Sequence, residues 1–152
     1  MTGSHAEYGK TSQGRFYAKA GDTFAVLTRK GEETSSVTQV AKGLVPGRSY
    51  CLQFVTVDYN DLKAKKSNPK RVGIDVTLDD GASVDKSQSW VHVDKRVKGS
   101  YSFNNTVPKC NLHHVVFRAV KREVTVTIHN ANPVEGESSA VNYVMLNPFL
   151  EP

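Results

Sequence analysis

Cysteine, tryptophan and long apolar runs are all scarce in this sequence. The two cysteines, Cys51 and Cys110, cannot form a disulfide framework, and their spacing is not that of a C-x-x-C pair. No apolar run approaches the roughly 20 residues that a membrane-spanning helix requires. These absences exclude a disulfide-rich scaffold and a zinc ribbon, and they predict no membrane insertion. One disulfide bridge or two free thiols both stay open.

Motifs for enzyme chemistry are missing as well. The sequence has no G-x-S-x-G elbow, no phosphate-binding P-loop and no G-x-G-x-x-G fingerprint. A glycosidase needs two carboxylates across a cleft, and a sandwich of this size, with its 15 scattered acidic residues and its charges mainly in turns, seldom builds such a pair. Cys51 with His113 or His114 could form a nucleophile and base, although a regular strand face is an unusual place for such a pair. We therefore expect no catalytic activity.

The five histidines do not form a metal-binding motif. His113 and His114 are adjacent, so on a strand they point to opposite faces and cannot chelate one ion together. His92 and His129 could join either of them only through tertiary contacts. The sequence contains no H-E-x-x-H pattern and no Cys/His spacing typical of zinc. A histidine metal site is not expected.

Alternation of apolar and polar residues is the dominant pattern that is present. Residues 72–78 and 124–129 alternate strictly, which is typical of half-buried strands. Strands are also predicted in "TFAVLTR", "NLHHVVFRAV" and "AVNYVMLNPFL", which are rich in β-formers. The stretch "SVTQVAKGL" fits both a strand and a helical template, but its Ser and Thr residues favour a strand.

The stretch "GLVPGRSYCLQFVTVDYND" predicts a turn followed by a long strand. Pro46 presets φ and Gly47 accepts a positive φ, as a tight turn requires. Alternation then predicts two faces, with Tyr50, Leu52 and Phe54 pointing inward and Cys51, Gln53 and Val55 pointing outward.

Polar stretches rich in turn residues are predicted to connect the strands, among them "LDDGASVDKSQS" with a turn at Asp79-Asp80-Gly81. About eight short strands and no predicted helix indicate an all-β fold. We expect an antiparallel two-sheet β-sandwich, with a closed barrel as the alternative. The length suits one domain, which we place at residues 13–152. Residues 1–12 are expected to be a cloning remnant or a flexible N-terminus, and the chain is expected to be a module of a longer protein.

The order of these strands resembles a known family. "SSVTQVAKGLVPGRSYCLQF" is similar to the second and third core strands of galactose-binding-like β-sandwiches. "VVFRAVKREVTVTIHNANP" followed by "VNYVMLNPFLEP" resembles the end of such domains. The resemblance runs from about Gly21 to Pro152 and implies a jelly-roll sandwich.

That family includes carbohydrate-binding modules of glycoside hydrolases and structural accessory domains of the same enzymes. The resemblance therefore implies a sugar-binding or an accessory role, with no cofactor required. Some members bind sugar in loops at one edge, and many hold a structural calcium ion. Asp22 and Glu151 lie near the two ends where that ion is usually held, although the calcium pattern does not match residue by residue.

Candidate ligand-binding residues are aromatic side chains beside polar ones in or near predicted loops. Sugar recognition uses flat apolar faces together with planar polar groups. The candidates are Trp90, Tyr59 with Asn60, and Tyr101 with Asn104. The alternative is that these aromatic rings plug the ends of the sandwich.

The run "DLKAKKSNPKR" is the second candidate feature. Lys65 and Lys66 belong to this run, and "DKRVK" adds further cations. If the two loops converge, they form a cationic rim suited to uronate or sulfate groups. A solvated loop is the alternative. The net charge of +5 alone nominates no partner.

The sequence thus predicts a non-catalytic carbohydrate-binding module of a secreted multimodular enzyme. Its expected partners are a polysaccharide or oligosaccharide and a covalently linked catalytic domain. The first alternative is an accessory sandwich that packs on a catalytic domain without binding sugar. The second is a binder of nucleic acid or an anionic surface, whose affinity would fall steeply with salt; nucleic acid is the less expected partner.

Overall fold

Alternating residues along the chain build two antiparallel sheets. The computed structural model describes residues 24–64, 66, 69–93 and 110–150. These form eight strands and one short helix: β1 (Ala25–Thr28), β2 (Ser36–Lys42), β3 (Ser49–Asp58), α1 (Tyr59–Lys63), β4 (Ile74–Leu78), β5 (Ala82–Val93), β6 (Asn111–Ala119), β7 (Glu123–Asn130) and β8 (Ser138–Pro148). The predicted all-β class is confirmed.

The strands are distributed over a five-stranded and a three-stranded sheet. The larger sheet has the order β1-β8-β3-β6-β5, and the smaller one has the order β2-β7-β4. Every pairing is antiparallel. The first and last described strands are hydrogen-bonded neighbours, and β5 lies at the edge of the larger sheet. The prediction of two antiparallel sheets is confirmed, and their arrangement is consistent with the predicted sandwich.

The main core lies between the two sheets. The larger sheet contributes inward side chains that include Leu52, Phe54 and Phe117, and the smaller sheet contributes Val124 and Ile128. All five are almost fully buried. The prediction that Tyr50, Leu52 and Phe54 point inward is confirmed, since all three belong to this core. Burial of such large apolar side chains is the main stabilising contribution to the fold.

A second apolar cluster covers one end of the outer face of the larger sheet. It contains Phe24, Val55, Val57, Leu62, Cys110 and Ala140. Val55 and Val57 come from the outward face of β3, and α1 places Leu62 over them. The prediction of a fold without helices is therefore wrong at residues 59–63. Five residues are too few to show a helical period, but Asp58 caps the helix by accepting a hydrogen bond from the Asp61 backbone N–H at 2.7 Å.

Two predicted turns are confirmed. Gly47 has a φ of 86°, which the Pro46-Gly47 turn requires. At the turn before β5, the Asp79 carboxylate accepts a hydrogen bond from the Gly81 N–H at 2.9 Å. A Cβ atom on Gly81 would collide with the Glu123 carbonyl oxygen, so glycine is required there by close approach.

The structure corrects the predicted start of β5. The stretch "LDDGASVDKSQS" is predicted as a connection, but β5 begins at Ala82 and runs through most of it.

In the described part of the chain, no helix is long and apolar enough to cross a membrane.

Candidate functional site

An irregularity in β5 determines where Trp90 points. Asp85 pairs with Val116, and Trp90 pairs with His114, so five steps along β5 face two steps along β6. If β5 were regular, Ser87 would lie opposite His114, and Trp90 would be shifted to the inward-facing position opposite Asn111. The three extra residues therefore place Trp90 on the outer face. Bulges that redirect a side chain in this way are common next to functional sites.

Hydrogen bonds within the bulge hold it in shape. The Asp85 carboxylate accepts bonds from the Ser87 N–H at 2.9 Å and from the Ser87 hydroxyl at 2.6 Å. The Ser89 hydroxyl donates to the Asp85 carbonyl at 2.6 Å and accepts from the Val116 N–H at 2.9 Å. Hydrogen bonding from Ser87 lowers the pKa of Asp85. These contacts replace the ladder bonds that the extra residues interrupt.

Trp90 stacks on a neighbouring ring while staying largely exposed. Its indole lies parallel to the His114 imidazole, with the ring centroids 4.5 Å apart and 6° between the planes. The Phe149 ring meets the same imidazole edge-on at 6.0 Å. Trp90 nevertheless keeps 46% of its surface exposed. A large aromatic ring that is fixed on one side and open on the other can accept a flat apolar ligand face.

The His114 imidazole is oriented by a neighbouring amide. Gln53 Nε2 lies 3.0 Å from His114 Nδ1, and because an amide N–H only donates, Nδ1 is the acceptor. The neutral ring therefore carries its proton on Nε2. Partial burial lowers the pKa of His114, which favours this neutral form.

Cys51 completes this group of contacts. Its Sγ lies 3.2 Å from His114 Nδ1, so the structure does bring together the thiol and imidazole considered as a nucleophile pair. Burial raises the pKa of the Cys51 thiol to about 11. At neutral pH the sulfur is thus protonated, whereas nucleophilic attack needs the thiolate. Cys51 and Cys110 are not joined in a disulfide.

An open depression adjoins Trp90 at the edge of the larger sheet. It has a volume of about 570 Å³ and is lined by Trp90, Val91, His92 and Leu112. His92 follows Trp90 by two residues and pairs with Leu112, so Trp90 and His92 share the outer face. The depression thus combines an indole, apolar side chains and one exposed imidazole.

Tyr59 and Asn60 are not among the residues that line this depression. Leu112, which does line it, pairs with Val55, four strand steps or roughly 13 Å before Tyr59. Tyr59 packs 6.3 Å from Phe24, and Lys63 Nζ lies 5.1 Å from its ring centre. Asn60 Oδ1 accepts a hydrogen bond from the Ser138 N–H at 2.8 Å. The structure gives both residues packing contacts and does not bring them together with Trp90.

The lysine run is partly engaged with acidic side chains. Lys70 Nζ lies 2.8 Å from Asp58 and 3.2 Å from Asp61. Lys66 is exposed, and its backbone N–H donates to the Asp61 carbonyl at 2.9 Å. The remaining predicted site residues, Lys65, Tyr101 and Asn104, lie outside the described residues.

Metal ligands do not converge in the described ranges, where no three His, Cys, Asp or Glu side chains lie close enough to hold an ion. Asp22 and Glu151, considered for calcium, lie outside those ranges. The prediction that His113 and His114 point to opposite faces is confirmed. His113 stacks on the core residue Phe54 at 4.2 Å, whereas His114 stacks on Trp90.

Sequence reasoning found Trp90 but missed the residues around it. His114 and Gln53 come from two other strands and meet Trp90 only through sheet pairing. His92 could have been found, because "WVHV" alternates and places Trp90 and His92 on one face.

Comparison with known proteins finds no matching family model, no matching curated protein and no matching solved structure. The inference of function therefore depends on the geometry around Trp90.

Proposed function

We propose that this chain is a non-catalytic carbohydrate-binding module of a secreted, multimodular carbohydrate-active enzyme. The glycan binds at the β5 edge of the larger sheet, with a sugar ring stacked on Trp90. We further infer that the sandwich is a jelly roll of the galactose-binding type. The five-plus-three antiparallel sheets and the pairing of β1 with β8 support that inference.

The observation that carries the proposal is the fixed and exposed indole of Trp90. Tryptophan is usually well buried, but here a bulge turns it outward and His114 holds its plane. A ring held in this way favours stacking of a ligand, because the indole loses little conformational freedom when the ligand binds. The chain uses its only tryptophan in this position.

Polar groups near the indole supply directional hydrogen bonds. The exposed His92 imidazole faces the same depression and can bond a sugar hydroxyl. Tyr101 and Asn104 belong to the connection between β5 and β6, so they stay candidates for further contacts. A few polar groups around an apolar platform are typical of small-ligand sites.

Such a module acts by tethering. Binding of the glycan holds the linked catalytic domain near its substrate, which raises the effective concentration without any chemical change in the bound sugar. Modest affinity at each site is sufficient for this role.

The proposal is tested by affinity electrophoresis in gels that contain xylan, galactomannan, mixed-linkage β-glucan, polygalacturonate or dextran sulfate. We expect at least one polysaccharide to retard the protein, and Trp90→Ala to remove most of that retardation. Val84→Ala is the matched control, because Val84 is similarly exposed on β5 but pairs with the inward-facing Phe117, on the face opposite to His114. Absence of retardation in every gel would contradict the proposal.

The salt dependence of retardation distinguishes the proposed glycan binding from binding to an anionic surface. Retardation by a neutral polysaccharide is expected to change little as ionic strength rises. Retardation only by polygalacturonate or dextran sulfate, with a steep loss in salt, would favour a cation-driven binder instead.

An apolar cleft favours the accessory domain as a second candidate. The cleft has a volume of about 240 Å³ and opens between β2 and the second half of β8. Val37 and Val144 at this cleft are 39% and 49% exposed. An accessory role predicts that a hydrophobic dye binds the native protein here and that Val144→Asp prevents it, while no polysaccharide is retained.

A further inference from the structure

The ring that covers one face of Trp90 is itself titratable. His114 is the stacking partner of the indole, so a proton gained by the imidazole places a positive charge directly against the platform. Histidine is the side chain whose ordinary pKa allows this near neutral pH.

The described surroundings of His114 contain few other ionisable groups. β5 contributes Trp90, β3 contributes Gln53 and Cys51, and Phe149 follows β8. Of these groups only the Cys51 thiol titrates, and it stays protonated far above neutral pH. The ionisable residues on the same outer face are His92, which pairs with Leu112 on one side of His114, and Asp85 and Arg118, which lie one and two same-face positions along the ladder on the other side and attract each other.

Protonation of His114 conflicts with its present hydrogen bond. Gln53 Nε2 now donates to Nδ1, so a proton on Nδ1 would leave two donors facing each other. Relief requires the Gln53 amide to turn its oxygen toward the ring, or the imidazole to move away. Both changes replace the Gln53 N–H contact that now orients the ring on which Trp90 stacks.

We propose that the Trp90–His114 pair is a pH-responsive platform that binds its glycan when His114 is neutral and releases it when His114 is protonated. The binding half of this inference depends on the proposed function. The structural half, a proton-driven change at Trp90, does not depend on any ligand.

The direction of the response follows from the burial of His114. Burial lowers the pKa of His114 below its ordinary value of 6.5, so the neutral form holds at pH 7 and is lost only in moderately acid solution. Compartments and culture media that turn acid would thus weaken binding.

The emission of the single tryptophan tests the structural half directly. We expect emission to fall in one reversible step, with a midpoint below pH 6.5, because an imidazolium stacked on an indole quenches it. Far-UV circular dichroism should stay unchanged through this step. His114→Gln should remove the step, whereas His92→Gln, which replaces the other imidazole on this face, and His129→Gln, on β7 of the other sheet, should keep it. A flat emission profile, or the same step in His114→Gln, would overturn the proposal.

Affinity electrophoresis at pH 7.5 and pH 5 tests the binding half with the polysaccharide that retards best at neutral pH. We expect retardation to fall several-fold at pH 5 in the wild type and to change little in His114→Gln. Equal retardation at both pH values would overturn the proposal but leave the proposed function standing. If no polysaccharide is retained at neutral pH, the proposed function and the binding half of this inference both fail. The emission step then decides the structural half alone.

Discussion

At the scale of single residues, the adjacent His113 and His114 occupy opposite environments. His113 is only 3% exposed, and its Nε2 lies 2.8 Å from the Thr56 hydroxyl. His114 stands on the outer face beside Trp90. Strand alternation predicts that the two rings diverge, but which one is buried depends on where the second sheet packs. That information is not local in the sequence.

The buried His113 gives stability a predictable dependence on pH. Burial lowers its pKa to about 4, whereas the unfolded chain keeps the ordinary value of 6.5. The contribution of His113 to the free energy of unfolding is complete above pH 6.5 and is lost as pH falls toward 4. Between these values the unfolded chain binds a proton at His113 and the folded chain does not. We expect the free energy of unfolding to fall by up to about 3 kcal/mol across this range, as measured by urea denaturation.

His113→Gln is the control for this dependence. Glutamine does not titrate, so the part of the slope between pH 6.5 and 4 that comes from His113 should disappear. An unchanged slope in the variant would assign the acid sensitivity to other groups.

Asn130 is a buried polar residue that holds two connections together. Its Nδ2 donates to the Leu27 carbonyl at 2.7 Å and to the Glu137 carbonyl at 3.1 Å, and its Oδ1 accepts from the Asn132 N–H at 2.8 Å. Asn130→Ala removes the side-chain partner of the Leu27 and Glu137 carbonyls and of the Asn132 N–H. We expect a loss of roughly 2–4 kcal/mol in unfolding free energy, measured by urea denaturation.

An exposed residue on the smaller sheet provides the comparison for Asn130. Thr38→Ala removes one exposed hydroxyl contact with Thr127 and should cost less than about 0.5 kcal/mol. Similar losses in the two variants would mean that the Asn130 contacts contribute little.

At the scale of elements, the regular strands were predictable and the irregular ones were not. Strict alternation marked β4 and β7. The pattern predicts a connection over part of β5, because the extra residues around Ser87 break the alternation. The hydrogen bonds within the bulge that stabilise this part of the strand form only in the folded chain. Helix α1 was missed because its stability comes from a cap and from Leu62 packing, rather than from a periodic pattern.

Capping of α1 by Asp58 should be measurable. Asp58→Ala removes the hydrogen bond to the Asp61 N–H and is expected to cost about 1 kcal/mol. Because this bond is short-ranged, most of the loss in urea denaturation should persist at high salt.

Lys70→Met is the matched variant for the ion pair alone. It keeps the cap but removes the ammonium group beside Asp58 and Asp61. We expect a smaller loss that shrinks as salt increases. A salt-sensitive loss in Asp58→Ala of the same size as in Lys70→Met would show that the cap contributes little.

At the scale of the whole molecule, the fold class followed from local patterns, whereas the site did not. Turn residues and alternation are local, so they indicate strands and their inward faces. Trp90 meets His114 and Gln53 because β5, β6 and β3 are neighbours in one sheet, an order that no local pattern specifies. The predicted aromatic candidates Trp90 and Tyr59 consequently turned out to lie in separate environments, one stacked at an open sheet edge and one packed against Phe24.

The central claim is that a glycan binds against Trp90, and titration of the tryptophan emission with polysaccharide tests it most directly. Because the chain has a single tryptophan, every change in emission reports on this position. We expect a saturable blue shift with the polysaccharide that retards the protein in gels, and no shift with the others. Retardation without any change in emission would place the glycan elsewhere on the molecule and contradict the account.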